Sequence, residues 1–305
     1  MRANNHYSKQ DDPARPAPRM PVIASEWRRI TTMPDLGDLA GPDPRRQHIV
    51  DHGFIQARDG SWQLWGCLRG TKVSRLLFGW RSPSLFEGPW EEIGVVARAE
   101  AQYGEKTDPE QIGAPFFFRD DDRYLCFYHS GGIRLMDSDD GIRYRRVLNS
   151  PGDSSLRSVG GRDAMVFKED GVYYLYSTVS TVSRDGFRRG FAIVETSADL
   201  KQWSDYTIVS EGGVAGNGAV SAESPFVVKV EGCYYLFRAS SITFKTYVYR
   251  SLSPYHFGVN DDSKLIAEFP IKAPEIVLHE GEYYISDLAD FQGLKMARLR
   301  WETVS

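Results

Sequence analysis

The sequence contains no apolar stretch that approaches the roughly 20 residues of a membrane-spanning helix. Cysteine is scarce: Cys67, Cys126 and Cys233 each lie in an apolar run, without the paired spacing of a zinc site. We expect buried, reduced thiols at these positions. Charge of one sign is not in excess either, with 37 Lys and Arg against 41 Asp and Glu. This balance argues against nucleic acid and anionic membrane surfaces as partners.

What the chain does have is enough apolar content for a large core. Hydrophobic residues make up 41% of its 305 residues, which argues against disorder as the main state. Residues 1–20 are polar and proline-rich, and we predict a flexible arm there, followed by a single domain over residues 21–305. The arm has no apolar segment of the kind that signal peptides carry. We therefore expect a cytoplasmic protein, or a periplasmic or secreted one if the natural precursor is longer.

One unit recurs five times along the chain. Each copy has a short apolar strand, a charged turn and an aromatic strand, and the copies begin at Asp51, Ala114, Arg162, Glu223 and Ala273. In four copies a Gly precedes the aromatic strand, as tight hairpins prefer. A Ser followed by a turn and an aromatic residue ends the first four units: Ser82 and Trp90, Ser138 and Tyr144, Ser197 and Trp203, Ser251 and Phe257. This rhythm predicts antiparallel hairpins.

Five such units, each long enough for a four-stranded sheet, predict an all-β fold. A radial arrangement buries both faces of every sheet and leaves only short edges, so we predict a five-bladed β-propeller. The last unit is one strand short, and the segment from Val22 to Thr32 is predicted to supply it and close the ring. Two separate β-sandwiches are the alternative, which the single period throughout the chain argues against.

The starts of the first strands and the ends of the second strands converge on one end of a propeller. Three of the five units begin with an acid, and acids on a common rim raise one another's pKa, so that a protonated carboxyl lies beside an ionised one. Glycoside hydrolysis needs this pair, one group as acid and the other as base. The catalytic candidates are Asp51, Asp163 and Glu223, and the substrate-binding candidates are His52, Arg69, His129, Arg162, Arg238 and Asp287.

The segments RDAMVFKEDGVYYLYST and ESPFVVKVEGCYYLFRAS resemble the Asp and Glu blades of family 43 glycoside hydrolases and of their five-bladed relatives in families 32, 62 and 117. The resemblance covers roughly residues 45–300. It implies Asp51 as general base, Asp163 as the residue that orients the acid and tunes its pKa, and Glu223 as general acid. It also implies an inverting reaction by direct attack of water.

Blade one departs from the family pattern, because Asp51-His52-Gly53 stands where the family has Asp-Pro. Counted back from the turn Gly, His52 occupies the place of Asp163, and Asp51 aligns only if the turn is longer. His52 as base or ligand is therefore an open alternative. The family's frequent central metal has no clear equivalent in unit five, where Ala273 stands. We expect no required cofactor and no catalytic metal, with a structural calcium or sodium ion in the central channel as the remaining option.

The leading functional hypothesis is a glycosidase that acts on a poly- or oligosaccharide. A non-catalytic propeller that binds a glycan or a protein is the first alternative. A glycoside phosphorylase, with the arginines and His129 holding phosphate in place of water, is the second. The expected partner is a carbohydrate, with no nucleic acid and no membrane, and the oligomeric state is left open.

Overall fold

A computed structural model describes residues 18–303 except 157, 159 and 160. Blade one consists of β3 (His48–Gln56), β4 (Trp62–Thr71), β5 (Ser74–Ser82) and β6 (Glu91–Ala97). Blade two consists of β7 (Gly113–Asp120), β8 (Arg123–His129), β9 (Ile133–Ser138) and β10 (Arg145–Arg146). Blade three has β11 (Arg162–Glu169), β12 (Val172–Val182), β13 (Arg188–Ser197) and β14 (Thr207–Glu211), with β18 (Gly258–Val259) pairing in parallel at its edge.

Blade four consists of β15 (Glu223–Val230), β16 (Cys233–Ser240), β17 (Lys245–Ser251) and β19 (Leu265–Phe269). Blade five has β20 (Ile276–His279), β21 (Glu282–Asp287) and β22 (Gly293–Thr303), and its outer edge is completed by β1 (Arg19–Ile23) and β2 (Arg28–Thr32). Five antiparallel sheets thus form a five-bladed propeller in the described residues, which confirms the predicted fold.

The N-terminal segment closes the ring, as the short fifth unit predicts. Strands β1 and β2 both pair antiparallel with β22, β1 along residues 299–303 and β2 along residues 293–296. The fourth strand of blade five therefore comes from the opposite end of the chain, split into two pieces. Residues 1–17 of the predicted arm lie outside the described part, and β1 already begins at Arg19.

The hairpin chemistry follows the sequence pattern. In blades three to five a two-residue loop places both central residues at positive φ: Asp170 and Gly171, Glu231 and Gly232, Glu280 and Gly281. The blade-one loop is longer and spans residues 57–61, which supplies the extra turn length that Asp51 requires. The serines at the unit ends accept backbone N–H groups of the following turns, for example Ser138 Oγ from Gly141 at 2.8 Å.

The core lies between neighbouring blades, where aromatic side chains pack against one another in edge-to-face and tilted arrangements. Trp65 of blade one contacts Phe117 of blade two at 5.2 Å between ring centroids, and Tyr235 of blade four contacts Trp301 at 4.5 Å. The three cysteines are buried free thiols, as expected. The helices of the described residues are short 3-10 turns, and among those residues no helix has the length and apolar character to cross a membrane.

Candidate active site

The three predicted acids, each from a different blade, line one cavity at the end of the ring. This cavity, of about 410 Å³, has Asp51, Asp163 and Glu223 in its lining together with cations and aromatic residues. Its other charged and aromatic members are His48, Arg69, Arg75, Arg162, Phe244, Lys245, Lys272 and Phe291. The first strands of three blades therefore bring the acids together, although more than 100 residues of sequence separate some of them.

Backbone irregularities at the starts of the first strands position these side chains. In blades two to four the strand register shifts between Gly113 and Phe116, between Arg162 and Met165, and between Glu223 and Phe226. Inside each shift one non-glycine residue has left-handed φ: Ala114 at 46°, Asp163 at 58° and Ser224 at 45°. Such conformations cost about 1–3 kcal/mol and cluster at functional sites. In blade one the shift lies between Ile49 and Asp51.

Arg162 links the two acids of blades three and four. Its Nη2 donates to Glu223 Oε1 at 3.1 Å, and its Nε lies 3.6 Å from Asp163 Oδ2. Further hydrogen bonds at 3.0 Å, to Ser180 Oγ and to the Ala219 carbonyl, hold the guanidinium in place. The other carboxylate oxygen of Glu223 accepts from Ser241 Oγ, and Asp163 Oδ2 accepts the backbone N–H of Ser224 at 3.2 Å. Glu223 is thereby oriented from both sides.

Burial and the repulsion of neighbouring carboxylates shift Asp51 and Glu223 toward their protonated forms. Burial raises the pKa of Asp51 well above its ordinary value, the negative charges of Asp163 and Glu223 add to this, and Arg75 and Arg162 oppose it. Burial and then Asp163 raise the pKa of Glu223, against the opposing effects of Ser241 and Arg162. The titrations of such close acids belong to the group as a whole. The site can therefore hold a proton on one carboxyl beside ionised partners.

A narrow channel of about 20 Å³ lies next to this cavity on the propeller axis. His52 and Glu275 line it together with Asp51 and Asp163. His52 is 2% exposed, its Nε2 lies 2.7 Å from Ser286 Oγ, and its Nδ1 has no partner among the described residues. Burial lowers the pKa of His52 to about 3, so the ring is neutral and a weak base.

Solved structures share this architecture. A thermostable family-43 glycoside hydrolase superposes with a TM-score of 0.59 and 16% identity, over 87% of this chain and 91% of that chain. The GH43_1 enzyme from Xanthomonas citri, in complex with xylotriose, superposes with a TM-score of 0.60 and 15% identity, over 83% and 87%. The fold is that of the family-43 glycosidases.

A more distant similarity extends to another glycosidase group. A GH32 β-fructofuranosidase from Bombyx mori superposes with a TM-score of 0.51 and 14% identity, over 85% of this chain and 63% of that chain. No protein-family model matches the sequence, and no curated protein matches it either. At these identities the similarity is one of fold.

Within this glycosidase fold, two of the predicted substrate contacts are not at the cavity. Arg238 is fully buried inside blade four, where it donates to the carbonyls of Ser221 and Gly216 and to Ser210 Oγ. It holds the glycine-rich segment that leads into Glu223. Asp287 is 3% exposed and accepts the backbone N–H groups of Lys272 and Ala289. Both side chains are structural because they bond to groups of their own blade, although the last two residues of β16, Ala239 and Ser240, do line the cavity.

The other predicted binding residues lie closer to the acids. Arg69 and Arg162 line the cavity, and their contact with substrate stays a prediction. His129 is half-buried near Asp163, and burial lowers its pKa to about 4, so it is neutral and unsuited to holding phosphate by charge. His52 lines the narrow channel and is absent from the wall of the larger cavity. Its position and low basicity argue against His52 as the base, whereas Asp51 lines both spaces.

Three residues at the site, Arg75, Ser241 and Glu275, are not among the predicted site residues. Arg75 is the second residue of the third strand of blade one, and its charge lowers the pKa of Asp51. The repeat predicts site residues only on first and second strands. Glu275 follows the Ala273-Pro274 start of unit five, and its side chain turns into the channel, where burial and then Asp51 raise its pKa well above normal. Ser241 lies in a loop. For Glu275, its place two residues after Ala273 could have served as a signal.

The channel residues do not form a cage for the calcium or sodium ion that the resemblance leaves open. Among the described residues no group of three or more His, Cys, Asp or Glu side chains is arranged to hold a metal. The Nε2 of His52 is already engaged by Ser286. No step in the chemistry proposed below passes through a metal.

Proposed function

We propose that this protein is a glycoside hydrolase that cleaves a poly- or oligosaccharide with inversion of configuration. The observation that carries the proposal is the convergence of Asp51, Asp163 and Glu223 on one cavity, with Arg162 bridging the last two. A protonated carboxyl and an ionised one on opposite sides of a sugar are the requirement for this reaction. The family-43 fold supports the same activity.

In this proposal Glu223 donates a proton to the leaving oxygen. Burial and the charge of Asp163 favour its protonated form, while Arg162 and Ser241 fix the orientation of its carboxyl group. Asp51 removes a proton from the attacking water. Burial and the charges of Asp163 and Glu223 raise the pKa of Asp51, which strengthens it as a base once it is ionised, and Arg75 and Arg162 oppose that rise. Asp163 acts as a positioning residue through Arg162 and the backbone of Ser224. Phe244 and Phe291 line the cavity and supply apolar faces for sugar rings.

The test is a release assay on a panel of aryl glycosides and plant or algal oligosaccharides. We expect turnover in the wild type and a loss of about 10²–10⁴-fold in both Glu223→Gln and Asp51→Asn. Asp205→Asn, an exposed carboxylate outside the cavity, serves as the matched control and retains full activity. Turnover that survives Asp51→Asn would remove Asp51 from the base role, and absence of turnover with sugar binding retained would favour a binding module.

Two further measurements assign the roles. The anomeric form of the first product, followed by NMR, distinguishes inversion from retention. Chemical rescue separates acid from base: azide restores turnover in Asp51→Gly by taking the place of the activated water, whereas Glu223→Ala retains activity only on substrates with good leaving groups. The opposite pattern would exchange the two roles. Turnover that requires inorganic phosphate would identify a phosphorylase.

A further inference from the structure

A second cavity adjoins the one that contains the acids, on the side of blade one. It measures about 550 Å³ and shares His48 and Arg69 with the first. Arg45 and Arg46 also line it, together with Asp43. We propose that this extension, called here the blade-one pocket, binds an anionic substituent of the glycan, a uronate carboxylate or a sulfate ester, next to the sugar that is cleaved. The proposal rests on the proposed glycosidase function.

The blade-one pocket holds positive charge that the protein itself does not neutralise. Arg45 is paired with Asp43 at 3.0 Å, and in the first cavity Lys245 and Lys272 are paired with Glu268 and Asp290. Arg46 and Arg69, in contrast, form no ion pair within 4 Å among the residues that the structure describes, and Asp43 interacts with Arg46 only at longer range. The chain as a whole carries a formal charge of −4, so this excess of cations is local.

Arg69 is held ready for a ligand. Its Nη2 donates to His48 Nδ1 at 3.3 Å, while His48 Nε2 lies 3.1 Å from the Arg45 carbonyl and donates to it. The guanidinium also lies over the ring of Phe291, 6.0 Å from its centre. Of the five N–H groups of Arg69, one is used within the described part of the chain, so the others are available. A guanidinium fork matches carboxylate and sulfate oxygens in two-point contacts.

The backbone that carries Arg46 is equally fixed. A Cβ on Gly70 would lie 2.0 Å from the Arg46 carbonyl oxygen, and a Cβ on Gly41 would lie 1.9 Å from the Gly70 carbonyl oxygen. The segment before β3 thus rests directly on the end of β4. The Asp43 side chain accepts the N–H of Arg45 at 3.1 Å and caps the short 3-10 turn Pro44–Arg46. Arg46 and Arg69 line the pocket and extend from backbone segments that are packed against each other. Binding of an anion there therefore requires no reordering of the main chain.

The test measures binding with matched pairs of oligosaccharides. One pair is a xylo-oligosaccharide with and without a glucuronate branch, and the other is a galactan oligosaccharide before and after removal of its sulfate esters. Titration calorimetry with Glu223→Gln prevents hydrolysis during the measurement. We expect the charged member of at least one pair to bind about tenfold or more tightly, and which pair responds tells carboxylate from sulfate.

Substitutions then test which residues cause the preference for the charged oligosaccharide. Arg46→Met, in the same background, should remove most of the preference while leaving the affinity for the neutral member unchanged. Arg69→Met should also remove most of the preference, but it should weaken binding of the neutral member as well, because Arg69 lines the first cavity too. Arg300→Met removes one exposed positive charge beside the Gly281 turn, away from both cavities, and should leave the preference intact. Raising the salt concentration should weaken only the binding of the charged member.

Three results overturn the proposal: equal affinity within both pairs, a preference that persists in Arg69→Met and Arg46→Met, or inorganic phosphate that accelerates turnover through these arginines. Failure of the glycosidase proposal is distinguishable, because it would abolish turnover on every substrate while leaving the charge preference in the binding measurement.

Discussion

Arg162 lies next to both Asp163 and Glu223, so its charge should affect the pH dependence of catalysis. Its guanidinium lowers the pKa of Glu223 against the upward effects of burial and Asp163. Removing that positive charge in Arg162→Met should raise the pKa of Glu223. The alkaline limb of kcat/KM, where the acid loses its proton, should then move to higher pH, and activity should fall because the carboxyl is less well oriented.

The pH profile of turnover measures this effect. Arg162→Lys retains the charge without the two-point geometry, so it should keep the limb near its wild-type position while losing activity. An unmoved limb in Arg162→Met would show that Arg162 has no influence on the protonation of the acid. A purely structural role would lower activity without moving the limb.

The protonation of Asp51 also affects the stability of the folded protein. Its pKa is raised in the folded protein, mainly by burial, so the folded state binds more protons than the unfolded one. Its contribution to stability is present below the unfolded pKa and is lost as the pH rises through the folded pKa. The side chain of Asp51→Asn is neutral at every pH. The substitution should therefore raise the unfolding free energy by about 1 kcal/mol or more at neutral and alkaline pH, and the melting temperature should rise with it.

Thermal unfolding at a series of pH values tests this expectation. The gain should shrink toward acidic pH, where Asp51 is protonated in both states. Asp287→Asn is the matched control: this carboxylate accepts two backbone N–H groups and pairs with Lys295 at 3.1 Å, so its loss should destabilise the protein. A pH-independent effect of Asp51→Asn would contradict the prediction.

At the scale of the elements, one tight hairpin has a residue that is poorly suited to its backbone conformation, and replacing it should increase stability. Glu280 occupies a left-handed position, with φ at 51°, in the loop between β20 and β21. Asn tolerates this conformation better than Glu, and Asn-Gly is the preferred pair for such turns. Glu280→Asn should stabilise the protein by about 0.5 kcal/mol. Glu282→Asn, at the first position of β21, should give no gain in the same thermal unfolding experiment.

The hairpin loops and the serine turns are determined by residues within each blade. The register shifts in the first strands instead determine how side chains of neighbouring blades meet. Glu223 occupies the place of Arg162 in its blade, and Ser224 occupies that of Asp163, because the two register shifts coincide. The two acids therefore enter the cavity from successive positions of the same local structure. This displacement is what lets Arg162 lie between them.

At the scale of the whole molecule, stability depends on closing the ring. Strand β1 pairs with the end of β22, and Arg19 also donates to Tyr235 Oη and bonds to Glu231 of blade four. A chain that begins at Ala24 loses all of these contacts. We expect its unfolding free energy to fall by about 2 kcal/mol or more, since each lost hydrogen bond contributes about 1 kcal/mol.

A chain that begins at Pro18 keeps β1 and serves as the control, with a melting temperature close to that of the full sequence. Arg19→Ala alone should cost less than the truncation, because exposed ion pairs contribute little. Equal melting temperatures for the chains that begin at Pro18 and Ala24 would show that β2 alone closes the ring.

The repeat in the sequence predicts the five blades, the closure by the N-terminal segment and the three acids of the cavity. Of the binding residues predicted at second-strand ends, Arg69 lines the cavity, whereas Arg238 and Asp287 are buried inside their blades. The repeat does not predict three residues of the site. Arg75 lies in a third strand, Ser241 lies in a loop, and Glu275 lies two residues after the start of unit five. Whether a carboxyl faces the cavity depends on a shift of one residue, which reverses the direction of every following side chain.

The sequence by itself determined the architecture, because alternating apolar residues, turn glycines and capping serines act within a few residues and repeat in every blade. Only the tertiary structure decided which side chains face one another, because Asp51, Asp163 and Glu223 meet through strand irregularities in three separate blades. Their protonation is likewise a property of the assembled ring. Burial and the charges of neighbouring blades, which no single segment contains, raise the pKa values of Asp51 and Glu223.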